Sequence, residues 1–439
     1  MISRLRTFAA DYVDAYRGLP RDVWLLSFVL LINRCGAMVL PFWAIYCKSE
    51  RGFSDLQVGQ LLSIYGVGSF VGAFVGGWLT TKIGAFRVQW ISLILTGLGF
   101  LVLMKAQTWS EIAAVLIALS VVSEAIRPAT ATATANVCPE ELHPRAMALN
   151  RLAVNLGLSI GPVIGGFLAD RNFELLFWCD AVTCIVAGIW FLWLFGYRSH
   201  HSDAKPSKTN ILQPWLDWRF ACFGFFNFVL AVVFFQLLGT YMLYFDEVYG
   251  MEKYEIGLAI GINTVTIVLL EMFLVHRVEK LNTLRVVAVG FLLSGVGFCI
   301  LPFGSGFAWA AVSVVIWTIG EMLSMPLGAA FSASRAKLEQ RGSYMGAYSM
   351  TYGAAFIIAP LLGAWAYSVD PNLVWYAGLV LTFLATAGTW WLSWQVDESD
   401  QLNSGESERD SCANVTGIPW KNRSQCEKIN GVIEPERKT

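Results

Sequence analysis

Apolar runs of about twenty residues recur along this chain, separated by short polar connectors, and no other feature narrows its fold as far. With no water in a bilayer core, every backbone N–H and C=O needs a partner within a helix or a closed barrel. The runs are continuously apolar rather than alternating, which excludes the barrel. Charged residues make up 14% of the 439 and mean hydropathy is +0.55, far from the roughly 25% charged residues of a soluble domain. The expectation is an all-α membrane protein. Its twelve spans fall near 22–46, 57–81, 87–106, 111–136, 146–170, 173–196, 218–245, 256–275, 284–304, 306–331, 344–368 and 373–395.

Lys and Arg set the orientation. One side collects Arg4, Arg6, Arg17, Arg21, Lys82, Arg87, Arg145, Arg198, Lys205, Lys208, Arg219, Arg277, Lys280, Arg285, Arg335, Lys337 and Arg341, the other mainly Lys48, Arg51, Arg171 and Lys253. The excess predicts an integral protein of the cell inner (cytoplasmic) membrane with both termini in the cytoplasm. The first residues lack the short apolar core and small-residue cleavage site of a signal peptide.

The polar stretch "RSHHSDAKPSKTNILQP" divides the spans six and six. The expected organisation is a cytoplasmic segment (1–21), a first bundle (22–197), a cytoplasmic linker (198–217), a second bundle (218–396) and a disordered cytoplasmic tail (397–439). A shift of about 198 residues superimposes landmarks of the two bundles. Gly52 and Gly59 fall on Gly250 and Gly257, Lys82 and Arg87 on Lys280 and Arg285, Pro162 on Pro360 and Gly165 on Gly363. Glu124 falls within one position of Glu321. Parallel halves related by an axis along the membrane normal are a transporter architecture.

On these residues the chain resembles the major facilitator superfamily over 22–396. "GGWLTTKIGAFR" (76–87) occupies the place of that family's signature between its second and third helices; Gly77, Leu79, Gly84 and Arg87 fit it, while Thr81 stands where the family usually has Asp. "GLSIGPVIGG" (157–166) resembles the fifth-helix motif of the drug–proton antiporter branch. "NRCGAMVLPFWAIYC" (33–47) is similar to the first helix of multidrug-type members and, more faintly, of proton-coupled peptide transporters. The resemblance implies two pseudo-symmetric six-helix bundles that rock about a central cavity. Gly157, Gly161, Pro162, Gly165 and Gly166 would then pack the fifth helix against its repeat-mate, where Pro360 and Gly363 recur.

Charges inside the spans cost about 2.5–3.5 kcal/mol each and call for a reason. Arg34 sits midway along the first span. Glu124 and Arg127 lie three apart on one face of the fourth, Glu271 in the eighth and Glu321 in the tenth. Glu124, Glu271 and Glu321 are the proton-coupling candidates, with Arg34 and Arg127 as charge partners competing for Glu124; the alternative is a Glu124/Arg127 pair that only neutralises charge inside the bundle. Glu271 and Glu321 have no arginine partner on their own helices. Arg151, on a face shared with Asn155, is a candidate gate contact or a snorkelling side chain, and Asp180 is read as a helix-start or interface residue. Asn227, Gln236, Tyr241 and Asn263 are candidates for lining a substrate cavity suited to an amphipathic organic molecule.

Nothing in the sequence points to an enzyme, a cofactor or a metal site. The phosphate-binding glycine loop is missing, the nine Cys lack zinc spacing, and the four His lie in or beside loops. No basic tract suggests nucleic acid. The expected partners are protons, a small molecule and the lipid bilayer, with a monomer as the working unit. The leading expectation is proton-coupled efflux of amphipathic compounds. The alternatives are a proton-coupled importer of a nutrient, metabolite or short peptide, and a receptor or scaffold without transport.

Overall fold

The computed structural model describes residues 18–139, 142–196, 213–278, 281–336 and 340–416. Most of the expected linker and the chain beyond 416 lie outside them. Among the described residues there are twelve helical spans: α1 (Arg21–Ser49), α2 (Asp55–Ile83), α3 (Ala85–Lys105), α4 (Trp109–Val137), α5 (His143–Ala169), α6 (Glu174–Phe195), α7 (Trp218–Leu238), α8 (Lys253–Val278), α9 (Thr283–Cys299), α10 (Gly306–Ser334), α11 (Arg341–Val369) and α12 (Leu373–Thr416). Eleven of these are long and apolar enough to cross a bilayer; α9, at 17 residues, is extended by the 3₁₀ turn Leu301–Phe303. The helix α12 runs beyond the expected end of the last span, so 397–416 is helical rather than disordered. An established helix gains one hydrogen bond for each residue it adds, which lets it outrun its apolar stretch.

Several spans are interrupted. α1 breaks between Cys35 and Val39, α4 at Ala125, and α7 passes through a 3₁₀ turn at Phe235–Leu238 before Thr240–Leu243 and a π-turn at Tyr244–Val248. The breaks of α1 and α7 stand at repeat-matched positions. So do the turns at Gly52 and Gly250, with φ of 66° and 64°, a conformation that glycine adopts without strain. Gly84, with φ of 91°, makes the tight turn from α2 to α3.

The small residues decide which helices touch. On α2, Gly68, Gly72 and Gly76 form a stripe against Ser120, Val121 and Ala125 of α4, while Gly59 and Gly66 face α11. A Cβ on Gly59 would lie 2.6 Å from the Pro360 carbonyl oxygen, and one on Gly257 would lie 2.4 Å from that of Pro162. The two halves are thus joined along two equivalent seams, α2–α11 and α5–α8, each pairing a glycine of one repeat with a proline carbonyl of the other. This corrects the expected packing of α5. Gly157, Gly161 and Gly165 lie against Arg34–Met38 and Phe42 of α1, and Gly166 against Lys253 and Tyr254 of α8, not against α11. Gly363 lies against Gln236 in the break of α7, which repeats the relation of Gly165 to Met38.

The halves meet closely on the face away from the termini, where buried residues of α1, α2 and α6 share one apolar core with those of α7, α8, α10 and α12. They diverge toward the terminal face. Gly346 and Gly342 continue the face of α11 that meets α2 at Gly353, and Gly77 continues the face of α2 that carries Phe70; all three border open space. The result is a wedge, closed at the far face and open beside the termini.

Candidate functional site

The floor of the wedge is aromatic. Tyr65 of α2 meets Phe356 of α11 edge to face with ring centres 5.9 Å apart, and Phe235 of α7 contacts both Phe356 and Tyr352. The expected carboxylates flank this floor. On the first half, the Arg127 Nε donates to Glu124 Oε2 at 2.9 Å; the Glu124 side chain is 15% exposed and that of Arg127 is 73% exposed. Tyr65 lies in the electrostatic field of Glu124, Arg127 and Arg34 together. Arg34 ends the first segment of α1, and its buried Nε has no hydrogen-bond partner among the described residues.

On the second half, Asn263 Nδ2 donates to Glu321 Oε2 at 3.1 Å and to Thr318 Oγ1 at 2.9 Å. Tyr65 and Asn263 are repeat-mates, and each sits beside the near-matched acid of its own half. Glu271, expected to lack a partner, pairs with Arg151 of α5 across the halves, and both lie in the field of Glu321. The sequence shows no partner for Glu271 on its own helix; the cation comes from the opposite half, through the antiparallel course of α5 and α8.

The other expected liners divide. Asn227 is buried, donates to Thr351 Oγ1 at 2.7 Å and accepts from the Tyr352 hydroxyl at 3.2 Å. Tyr352 also lies in the field of Glu321, which ties Asn227 to the acid through one ring. Gln236 and Tyr241 do not face the wedge. Gln236 is buried in the α7 break, where its amide donates to the carbonyls of Val232 and Ala359. Tyr241 is fully buried among Phe298, Trp317 and Trp375, hydrogen-bonded to Ser313 and Trp317. A polar residue on an apolar span satisfies a backbone break as readily as it serves a ligand. Thr81 is exposed and donates to the Trp78 carbonyl, and Arg87, just past the turn at Gly84, is exposed as well.

Polar contacts close the far face, and composition gave no hint of them. Lys48 Nζ bridges Asp55 at 2.5 Å and Glu247 at 2.6 Å, the latter in the other half. The Tyr367 hydroxyl donates to Glu247 at 3.1 Å, and the Lys48 cation lies 5.5 Å from the same ring. Asp170, in the loop after α5, accepts from the N–H groups of Lys253 and Tyr254 at 2.9 and 3.0 Å, capping α8 from across the seam. Asp246, beyond the spanning part of α7, is 3.5 Å from Lys253; burial lifts its carboxyl above the ordinary range and the lysine opposes that rise.

A second carboxylate acts as a cap within the first half. Asp180, two turns into α6 and buried, accepts from Met38 N at 2.9 Å and Val39 N at 3.1 Å, the first amides of the outer segment of α1. Its helix-start reading is therefore corrected: it caps a helix start, but that of another span.

Comparison with known proteins agrees with this architecture. A family model described as the Major Facilitator Superfamily matches residues 24–354 and 224–426. An uncharacterized MFS-type transporter, YttB of Bacillus subtilis (strain 168), is 26% identical over 359 residues, covering 79% of this chain and 88% of YttB. A Na(+), Li(+), K(+)/H(+) antiporter of Planococcus maritimus is 25% identical over 74% of this chain and 84% of its own. Multidrug resistance protein MdtH of Yersinia pestis (strain Pestoides F) is 22% identical over 81% and 90%. Among solved structures, a point mutant of the nucleoside transporter NupG superposes with a TM-score of 0.72 at 14% identity, covering 84% of this chain and 99% of that one.

Proposed function

The chain belongs to the Major Facilitator Superfamily of membrane transporters, and from that premise we propose that it is a proton-coupled secondary transporter exporting amphipathic small molecules by alternating access. The observation that carries this reading is the matched pair of acids at the wedge floor. Glu124 and Glu321 each sit on the fourth helix of their half, each beside a repeat-matched side chain of the second helix, and each near aromatic residues of the inter-half seam.

A carboxylate set between a cation and a wet cavity changes its partners when it gains or loses a proton. Protonated Glu124 releases Arg127; protonated Glu321 keeps the Asn263 contact but loses its pull on Arg151. Arg151 with Glu271 then ties the halves across the α5–α8 seam. A conformational change follows from differential interaction in the two states, and this network provides it. The aromatic floor with few donors fits an amphipathic molecule. Two of the relatives, by their names an antiporter and a multidrug resistance protein, fit export against protons. With the termini in the cytoplasm, the open wedge would be the inward-facing state.

The test uses purified protein in liposomes with an imposed pH gradient and a panel of lipophilic dyes. The expected outcome is gradient-driven dye flux, abolished or strongly reduced in Glu124→Gln or Glu321→Gln, with binding of the dye retained. No flux under any gradient, with all of Glu124→Gln, Glu271→Gln and Glu321→Gln silent, sinks the proposal.

A further inference from the structure

We propose that Asp180 is a positioning residue of the transport cycle: by capping the outer segment of α1 from α6, it fixes where Arg34 stands relative to Glu124. The inference rests on the reading of Glu124 given above.

The break in α1 takes the amides of Met38 and Val39 out of the helical ladder, with Met38 N keeping a turn bond to the Gly36 carbonyl at 2.8 Å. Both are met by the two oxygens of one carboxylate, so the outer segment is fixed in position and in rotation about its axis. The inner segment ends at Arg34 and Cys35, whose backbone lies against Gly157 and Gly161 of α5. Gly36, at the joint, approaches Thr183 of α6 too closely for any side chain, and Asn33 donates to Sγ of the adjacent Cys184 at 3.2 Å. The hinge is thus held on one side by glycines and on the other by a polar clamp whose charged member is Asp180.

Among the described residues, the charges around this hinge are few. Cys184 lies in the fields of both Asp180 and Arg34, which places the two opposite charges about one side chain. Against Asp180, α1 presents the amides of Met38 and Val39, and α3, which packs on the next residue of α6 through Gly97, carries uncharged Ser92 and Thr96 among its buried residues. Glu124 pairs with Arg127 on its own helix, and Tyr65 of α2 lies in the fields of Glu124, Arg127 and Arg34, so the α1 cation and the acid act on one ring. Arg34 is therefore the group through which a change at Asp180 reaches Glu124. Loss of the cap frees the outer segment, moves the joint at Gly36 and shifts Arg34 relative to Tyr65 and the acid beside it.

The full-length protein in nanodiscs and in liposomes carries the test. In Asp180→Ala, amide exchange over residues 36–40 rises about tenfold or more while exchange over 234–240, the matching break, stays unchanged. The pH midpoint of gradient-driven flux moves upward in Arg34→Gln by about one unit. It moves in the same direction but by less in Asp180→Ala, and the double variant shows no more than Arg34→Gln alone. A midpoint shift that adds fully to that of Arg34→Gln overturns the proposal, as does faster exchange with an unmoved midpoint. If Asp180→Ala does not fold, Asp180→Asn keeps one acceptor and gives the same two readings at smaller amplitude. Failure of Glu124→Gln to alter flux would instead strike the functional reading; the proposal then falls too unless exchange over 31–35, the Arg34 segment, also rises in Asp180→Ala.

Discussion

The two halves break the same helix at the same place and mend it differently. In α1 the exposed amides of Met38 and Val39 are taken by Asp180, a carboxylate from another span. In α7 the repair is made by a neutral side chain within the break. Gln236 donates to the carbonyls of Val232 and Ala359, and Thr240 donates back to Gln236 Oε1. The matched position for Asp180 in the second half is Gly378, which brings no polar side chain. The first half therefore holds its hinge by a carboxyl group from another span, and the second by a local exchange of hydrogen bonds. The cations are unevenly distributed as well. Arg34 and Arg127 stand in the first half, while Val232 and Met325 occupy the matched positions in the second.

The largest effect that separates the two breaks is on stability. Asp180→Ala leaves the Val39 amide unmet and Met38 N with only the Gly36 carbonyl, at a cost of about 1–3 kcal/mol for the orphaned donor. Gln236→Ala removes donors from carbonyls that tolerate a single bond, and Thr240 can turn back to its own helix, so the loss is about 1 kcal/mol. Thermal unfolding in detergent should show the first midpoint falling well below the second. Equal shifts would mean that the two repairs are energetically alike and that the asymmetry has no weight.

The seams, by contrast, are expected to behave alike. A side chain at Gly59 strikes the Pro360 carbonyl and one at Gly257 strikes that of Pro162. Gly59→Val and Gly257→Val should each destabilise the far-face-closed state by about 1–3 kcal/mol, the usual cost of overpacking. Accessibility of a cysteine placed at the far end of α2 would rise in both. If only one variant responded, the two seams would not be equivalent under load.

How much of this was legible follows from what a bilayer demands of a sequence. The twelve spans had to be apolar, so they could be read to within a few residues, and the 198-residue repeat was visible in Gly59, Pro162 and their mates. The meaning of the repeat was harder to reach. Matching glycines on α5 and α11 suggested that these helices touch, whereas the pseudo-twofold relates the α5–α8 seam to the α11–α2 seam and crosses the partners. Among the acids, Glu124 with Arg127 could be paired from i,i+3 spacing alone. The Arg151–Glu271 pair spans 120 residues, and Asp180 with Met38 spans 142. No local pattern encodes such contacts. Gln236 and Tyr241 were misplaced because polarity on an apolar helix marks a need for a partner without saying whether that partner is backbone, core or ligand.

The finest comparison is between the two devices that close the far face. Asp170 caps α8 through two amides, and its loss in Asp170→Ala should cost about 0.5–2 kcal/mol, as for other helix caps, with little dependence on salt. Glu247 meets Lys48 and Tyr367 at a site where its side chain is 35% exposed, so water screens the pair and Glu247→Gln should cost about 0–1 kcal/mol. The glutamine still accepts from the Tyr367 hydroxyl, which leaves the ion pair as the part removed. Raising ionic strength should therefore narrow the gap between wild type and Glu247→Gln while leaving that of Asp170→Ala in place. Measured as the rate at which a far-face cysteine becomes labelled, the two variants would then diverge as salt is added. A parallel salt response would show that Asp170 acts through the Lys253 charge rather than through the backbone of α8.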